Sequence, residues 1–186
     1  MRIIGGKWRG LHLAEVGAGD PKAHLRPTSD RVREAIFNLL INGSHGDLVT
    51  GTTALDLFAG TGALGLEALS RGASMVTLVD DGKAAQRIIA QNIAKMRVEA
   101  QVKILIRDAT KLPAAPHPFT LIFLDPPYGK AMGEAALASA RAQGWIAPGA
   151  TVLWEEGTPP TPPQGFALLD QRRYGDTWVT LLEAET

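Results

Sequence analysis

The chain of 186 residues carries 19 lysines and arginines against 19 aspartates and glutamates, is 45% hydrophobic and contains no cysteine. That size predicts one domain with a sizeable core, and the missing thiols exclude disulfide scaffolds, thiolate metal centres and cysteine nucleophiles. Uncharged runs such as 119–124 are only strand-sized, and Met1-Arg2-Ile3-Ile4-Gly5-Gly6 lacks the apolar stretch of a signal peptide, so a cytoplasmic location is expected, without membrane insertion.

In chain order, residues 2–4 and 11–13 read as two short strands around a glycine-flanked loop whose tip is Lys7-Trp8-Arg9. Thr28-Ser29-Asp30 offers helix-capping chemistry, and Val32, Ala35, Ile36, Leu39 and Leu40 recur at helical spacing behind it. Residues 1–40 hold seven basic and four acidic side chains, so a basic start precedes an acidic body, as in an anion-binding appendage. The loop Asn42-Gly43-Ser44-His45-Gly46-Asp47 then divides an appendage, residues 1–45, from a main domain, residues 46–186.

From residue 52, apolar strands at 54–58, 75–79, 102–106, 119–124 and 151–154 alternate with alanine-rich helices at 63–71, 82–97 and 132–143. Such alternation predicts an α/β fold with a doubly wound, mostly parallel sheet. The proline-rich stretch 157–165 is a linker, because its rings fix φ and remove donors. Segments 166–173 and 177–183 flank Tyr174-Gly175-Asp176 as an antiparallel hairpin at the C-terminal edge, which brings the sheet to seven strands.

Two loops carry chemistry. In Asp56-Leu57-Phe58-Ala59-Gly60-Thr61-Gly62-Ala63-Leu64-Gly65 a strand breaks into glycines and reopens as a helix, and Gly60, Gly62 and Gly65 fit GxGxxG. Glycine lets backbone approach a ligand closely, and the helix start offers unpaired N–H groups. Asp80, 20 residues past Gly60 at the next strand end, suits a pair of ribose hydroxyls. This spacing fits both a nicotinamide dinucleotide and S-adenosylmethionine. Asp56 favours the second, since a carboxylate there repels a pyrophosphate and welcomes an ammonium. Asp108, followed by Ala109 after the third strand, is placed for an adenine amino group, or else caps the next turn.

The second loop is Asp125-Pro126-Pro127-Tyr128, directly after the fourth strand. Ligands of open α/β sheets bind beyond the carboxyl ends of strands, so this loop and the glycine loop are expected to share one crevice. The Asp125 carboxylate and the Pro126 carbonyl suit the two hydrogens of an exocyclic amine, Pro127 keeps the turn rigid, and the Tyr128 ring suits a stacked base. No metal is expected.

Asp125-Pro126-Pro127-Tyr128 together with Phe58-Ala59-Gly60-Thr61-Gly62 resembles the amino-group methyltransferases of the class I S-adenosylmethionine-dependent fold. More narrowly, Arg2-Ile3-Ile4-Gly5-Gly6, Arg9-Gly10 and the run from Arg26-Pro27-Thr28 to Ala35-Ile36-Phe37 resemble the RsmD family, which methylates the 2-amino group of a guanine in small-subunit (16S) ribosomal RNA. The resemblance implies a cofactor pocket from Asp56, Phe58, Ala59, Gly60, Thr61, Gly62, Asp80, Asp108 and Ala109, and a base held by Asp125, Pro126, Pro127 and Tyr128. The expected partner is that RNA, within a 30S subunit or an assembly intermediate, and the expected state is a monomer. Lys7, Trp8, Arg9, Arg26, Arg31 and Arg33 are the candidate RNA contacts, cations for phosphates and the indole for an exposed base. The rival readings are a DNA adenine-N6 or other amino-group methyltransferase with the same tetrapeptide, a nicotinamide oxidoreductase, and a non-catalytic RNA-binding module.

Overall fold

The computed structural model describes residues 1–15 and 29–185; the RNA candidate Arg26 lies outside them. The first helix, α1 (Asp30–Asn42), opens where the Ser29 hydroxyl accepts the Val32 N–H at 3.2 Å, one of the helix's orphan donors. Seven strands and three further helices follow: β1 (Thr53–Leu57), α2 (Ala63–Ser70), β2 (Met75–Val79), α3 (Lys83–Met96), β3 (Val102–Leu105), β4 (Phe119–Leu124), α4 (Met132–Ala142), β5 (Ile146–Glu156), β6 (Phe166–Tyr174) and β7 (Thr177–Ala184). Among the described residues no helix is long and apolar enough to cross a membrane.

The strands form one sheet in the order β3-β2-β1-β4-β5-β7-β6. The first five run parallel, and β7 pairs antiparallel with both β5 and β6. After β3 the chain returns to the other side of β1, so the order reverses between β1 and β4 and opens a crevice beyond their carboxyl ends.

Strand residues alternate between two cores, as a period of two demands. Ala54, Leu121, Phe123 and Leu153 face the core shared with α1, α2 and α3, whereas Leu55, Leu57, Ile122, Leu124 and Trp154 face the core shared with α4. Ile3 and Leu13 from the chain start pack into the first of these, beside Ile36 and Phe37 of α1.

Several expectations change. The two N-terminal strands reduce to a single bridge, Arg2 with His12. The intervening backbone spends its donors on α2 instead: Ile4 and Gly5 N–H on the Glu67 carboxylate (both 2.8 Å), Lys7 N–H on the Ser70 carbonyl (2.8 Å) and Trp8 N–H on the Ser70 hydroxyl (3.0 Å). β5 begins five residues earlier than expected, because Ile146 already pairs with Phe119; the register then slips around Pro148-Gly149 before Thr151 meets Leu121. Phe58 leaves β1 with φ 62°, a left-handed conformation rare for a bulky residue. At the hairpin Tyr174 pairs with Thr177, so the turn is the two residues Gly175 and Asp176, with Gly175 at φ 63°.

Candidate active site

Beyond the strand ends lies a cavity of about 960 Å³, bounded by both loops singled out above. Parallel register explains why they meet. Leu57 pairs with Val79 and with Leu124, and Leu124 pairs with Trp154. The next residues along, Asp80, Phe58, Asp125 and Glu155, therefore form one row across four strands, and all four line the cavity.

Asp56 lies on the α2 side of the sheet and is 1% exposed. Its Oδ2 accepts the Gly65 N–H at 2.8 Å, which ties strand end to helix. Burial pushes its carboxyl up to about 8 against that hydrogen bond, and the nearby charges of Asp125 and Asp80 add to the rise. Gly65 is required here, since a Cβ would stand 2.5 Å from Leu78 and 2.8 Å from Val76, the side chains on which α2 rests. Gly62, at φ 80°, turns the chain into the helix.

Asp80 accepts the Gly60 N–H on Oδ2 (2.9 Å) and the Gly82 N–H on Oδ1 (2.8 Å), so it clamps the glycine loop to the end of β2. Burial raises its carboxyl above the usual range, those two hydrogen bonds oppose the rise, and the charge of Asp81 adds to it. Each oxygen has capacity to accept a further hydrogen bond, and the residue lines the cavity. Asp108 accepts both the N–H and the hydroxyl of Thr110 on Oδ1 (2.8 and 2.7 Å), bonds that lower its carboxyl. It caps a turn and lines the cavity at once, beside Ala109.

Asp125, Pro126, Pro127 and Tyr128 line the opposite wall. Tyr128 is half-buried and its hydroxyl lies 3.3 Å from that of Thr177, at the start of β7. Burial pushes that phenol up to about 12; the Thr177 contact opposes this, and the carboxylates of Asp125, Glu155 and Glu156 add to it. Glu156 fixes the loop from below, because its Oε1 accepts the N–H groups of Gly129 (3.1 Å) and Gly157 (2.8 Å).

Every candidate cofactor or base residue except Gly62 borders this cavity. The RNA candidates divide differently. Arg31 is exposed and sits between Ser29 and Val32, which line the cavity. Lys7 and Arg9 are exposed and Trp8 is half-buried, with the Lys7 ammonium 4.5 Å from the indole centre, but this turn docks at Ser70, the far end of α2, about 12 Å along the helix. Arg33 is corrected outright: it is 1% exposed, and its guanidinium meets Asp30 at 2.8 Å and Glu67 at 3.7 Å, so it holds the chain start to α2 rather than facing a phosphate.

Sequence reasoning missed Glu155, which the parallel register of β5 with β4 brings to the wall, Tyr174 and Thr177, which the antiparallel pair of β6 and β7 brings there, and the basic residues Lys83, Arg107 and Lys130. Only the position of Lys130, two residues past Tyr128, carried a local signal.

Against known proteins, the family described as Conserved hypothetical protein 95 matches residues 1–183. Ribosomal RNA small subunit methyltransferase D of Escherichia coli is 33% identical over 188 aligned positions, covering 100% of this chain and 90% of that one. Its namesake from Haemophilus influenzae is 33% identical, covering 94% and 89%. The solved structure of yhhF from Escherichia coli superposes with a TM-score of 0.83 at 33% identity, covering 100% of this chain and 98% of that one. With a match from end to end in sequence and in fold, this chain belongs to the RsmD family of ribosomal RNA small subunit methyltransferases.

Proposed function

We propose that this chain transfers a methyl group from S-adenosylmethionine to the exocyclic N2 amine of a guanine in small-subunit ribosomal RNA. Methylation of that RNA accords with the family; the cofactor's seat, the choice of guanine and the residue roles are our reading. One observation carries it: among the described residues the cavity wall presents seven carboxylates against three basic side chains, with the glycine loop on one side and Asp125 to Tyr128 on the other. A dinucleotide's pyrophosphate is repelled by such a wall, whereas an ammonium and a sulfonium are attracted.

In this reading Gly60 and Thr61 enclose the methionine end, with Gly62 turning the chain into the helix behind them, Phe58 and Ala59 border it, Asp56 receives the ammonium, Asp80 the ribose hydroxyls, and Asp108 with Ala109 the adenine. When bound, S-adenosylmethionine supplies a methyl group made electrophilic by the sulfonium. The chain's own contribution is alignment. Asp125 and the Pro126 carbonyl take the two hydrogens of the base amine and turn its lone pair toward the methyl, while Pro127 stiffens the turn and Tyr128 stacks on the base. Tyr128, protonated at every working pH, does not serve as a base. An alkylated amine is acidic enough to lose its proton without a strong base, so Asp125 orients rather than abstracts.

Transfer of labelled methyl from S-adenosylmethionine to naked 16S RNA, to 30S particles and to DNA, followed by nucleoside analysis, tests the proposal. We expect N2-methylguanosine from RNA or particles and none from DNA; methyladenine as the product, or failure to bind S-adenosylmethionine, would overturn it.

A further inference from the structure

Glu155 has no part in the reaction as described, yet it is 1% exposed and lines the cavity. Its neighbour Glu156 turns to the other side of the strand and accepts two glycine N–H groups there. Alternation along β5 puts Glu155 on the opposite face, the one that Leu153 shares with Phe123 and Ala54. Asp125 and Asp56 continue that face on β4 and β1, so three carboxylates converge from one side of the sheet. Asp125 and Glu155 are the next register partners after Leu124 and Trp154, on strands about 4.8 Å apart.

Two adjacent carboxylates suit one kind of base edge. Guanine presents the hydrogens of N2 and the hydrogen of N1 side by side, whereas adenine places the lone pair of N1 next to its amine. We propose that Glu155 is a specificity-determining residue: its carboxylate accepts the N1–H of the purine whose 2-amino group Asp125 and Pro126 hold, and so selects guanine against purines with a lone pair at N1. The inference rests on the guanine-N2 reading above. One N2–H on Asp125, the other on the Pro126 carbonyl and the N1–H on Glu155 give every hydrogen of that edge an acceptor, whereas a bare N1 sets its lone pair against the Glu155 oxygen.

The probe is an RNA substrate with 2-aminopurine in place of the target guanine, which keeps the 2-amino group and replaces N1–H by a lone pair. Single-turnover methylation of both RNAs is compared for the wild type, Glu155→Gln and Glu155→Asp, with S-adenosylmethionine affinity and thermal midpoint checked for each. We expect the wild type and Glu155→Asp to favour guanine by about 100-fold or more, as sites built around a hydrogen bond do. Glu155→Gln, whose amide can donate to a bare N1, should bring the ratio within about tenfold of unity. A wild type that turns over both bases equally, or a Glu155→Gln enzyme that keeps the full preference, would overturn the assignment. If Glu155→Gln does not fold, loss of the guanine preference in a folded Glu155→Asp does the same. A wild type that never methylates guanine rejects the parent reading instead.

Discussion

Asp125 and Arg33 show how differently two charged residues behave once their surroundings are known. Asp125 stands at a strand end on the cavity wall, so its removal touches the base and leaves the glycine loop intact. Asp125→Ala is expected to lower single-turnover transfer by at least about 100-fold while S-adenosylmethionine affinity stays within a few fold, measured by rapid quench and calorimetry; turnover at the wild-type rate would refute its role. Arg33, by contrast, bridges Asp30 and Glu67 inside the protein. Arg33→Ala should cost about 3 kcal/mol in denaturant titrations, since it strips a partner from a buried carboxylate. Arg31→Ala should leave stability alone and reduce the salt slope of RNA binding by about one. Equal salt slopes for Arg31→Ala and wild type would remove Arg31 from the RNA face.

At the level of elements, α2 is gripped at both ends. Its first turn opens from the glycine loop and its last turn holds the chain start through Glu67 and Ser70. The motif Ile4-Gly5-Gly6 is thus a docking sequence: Gly6, at φ 76°, lies against the Ser70 carbonyl so closely that a Cβ would collide with it. α4 is seated in a comparable way, since a Cβ on Gly133 would run into the indole of the fully buried Trp154. Gly133→Ala should lower stability by about 1–3 kcal/mol in thermal or urea melts, the usual penalty of overpacking; an unchanged midpoint would mean that α4 can slide. The helices, the parallel strands and both loops were legible because each rests on local signals such as alternation, caps, glycines and prolines. The arrangement of residues 4–8 was not, because backbone donors went to a helix more than 60 residues away. Nor were Glu155 and Thr177, whose places depend on register across β5 and β7. A lone arginine on a helix reads as solvated; the burial of Arg33 depends on Glu67, 34 positions on, and was invisible for that reason.

For the molecule as a whole, the acidic cavity links stability to pH. Asp56 titrates near 8 in the folded chain against 3.8 ordinarily, and Asp80 is raised as well. The folded state therefore holds more protons than the unfolded one between these values, so this contribution is complete at low pH and fades as pH climbs through about 8. Asp47, Asp108 and Asp170, all lowered by hydrogen bonds, act in the opposite sense and lose their contribution as pH falls below the ordinary carboxylate range. The thermal midpoint of the ligand-free protein should drop between pH 6 and 8.5, and Asp56→Asn, which keeps an acceptor for Gly65 without a titrating proton, should flatten that drop. Identical pH profiles for the two proteins would show that Asp56 ionises like any surface carboxylate.

Among the described residues β7 is the last strand in chain order but not at the edge of the sheet; it lies between β5 and β6 and supplies the hydroxyl that meets Tyr128. During synthesis, then, β5 keeps an open flank until β7 has left the ribosome exit tunnel. A nascent fragment that already contains both signature loops but stops short of β7 lacks the Thr177 hydroxyl beside Tyr128 and the pairing that covers β5.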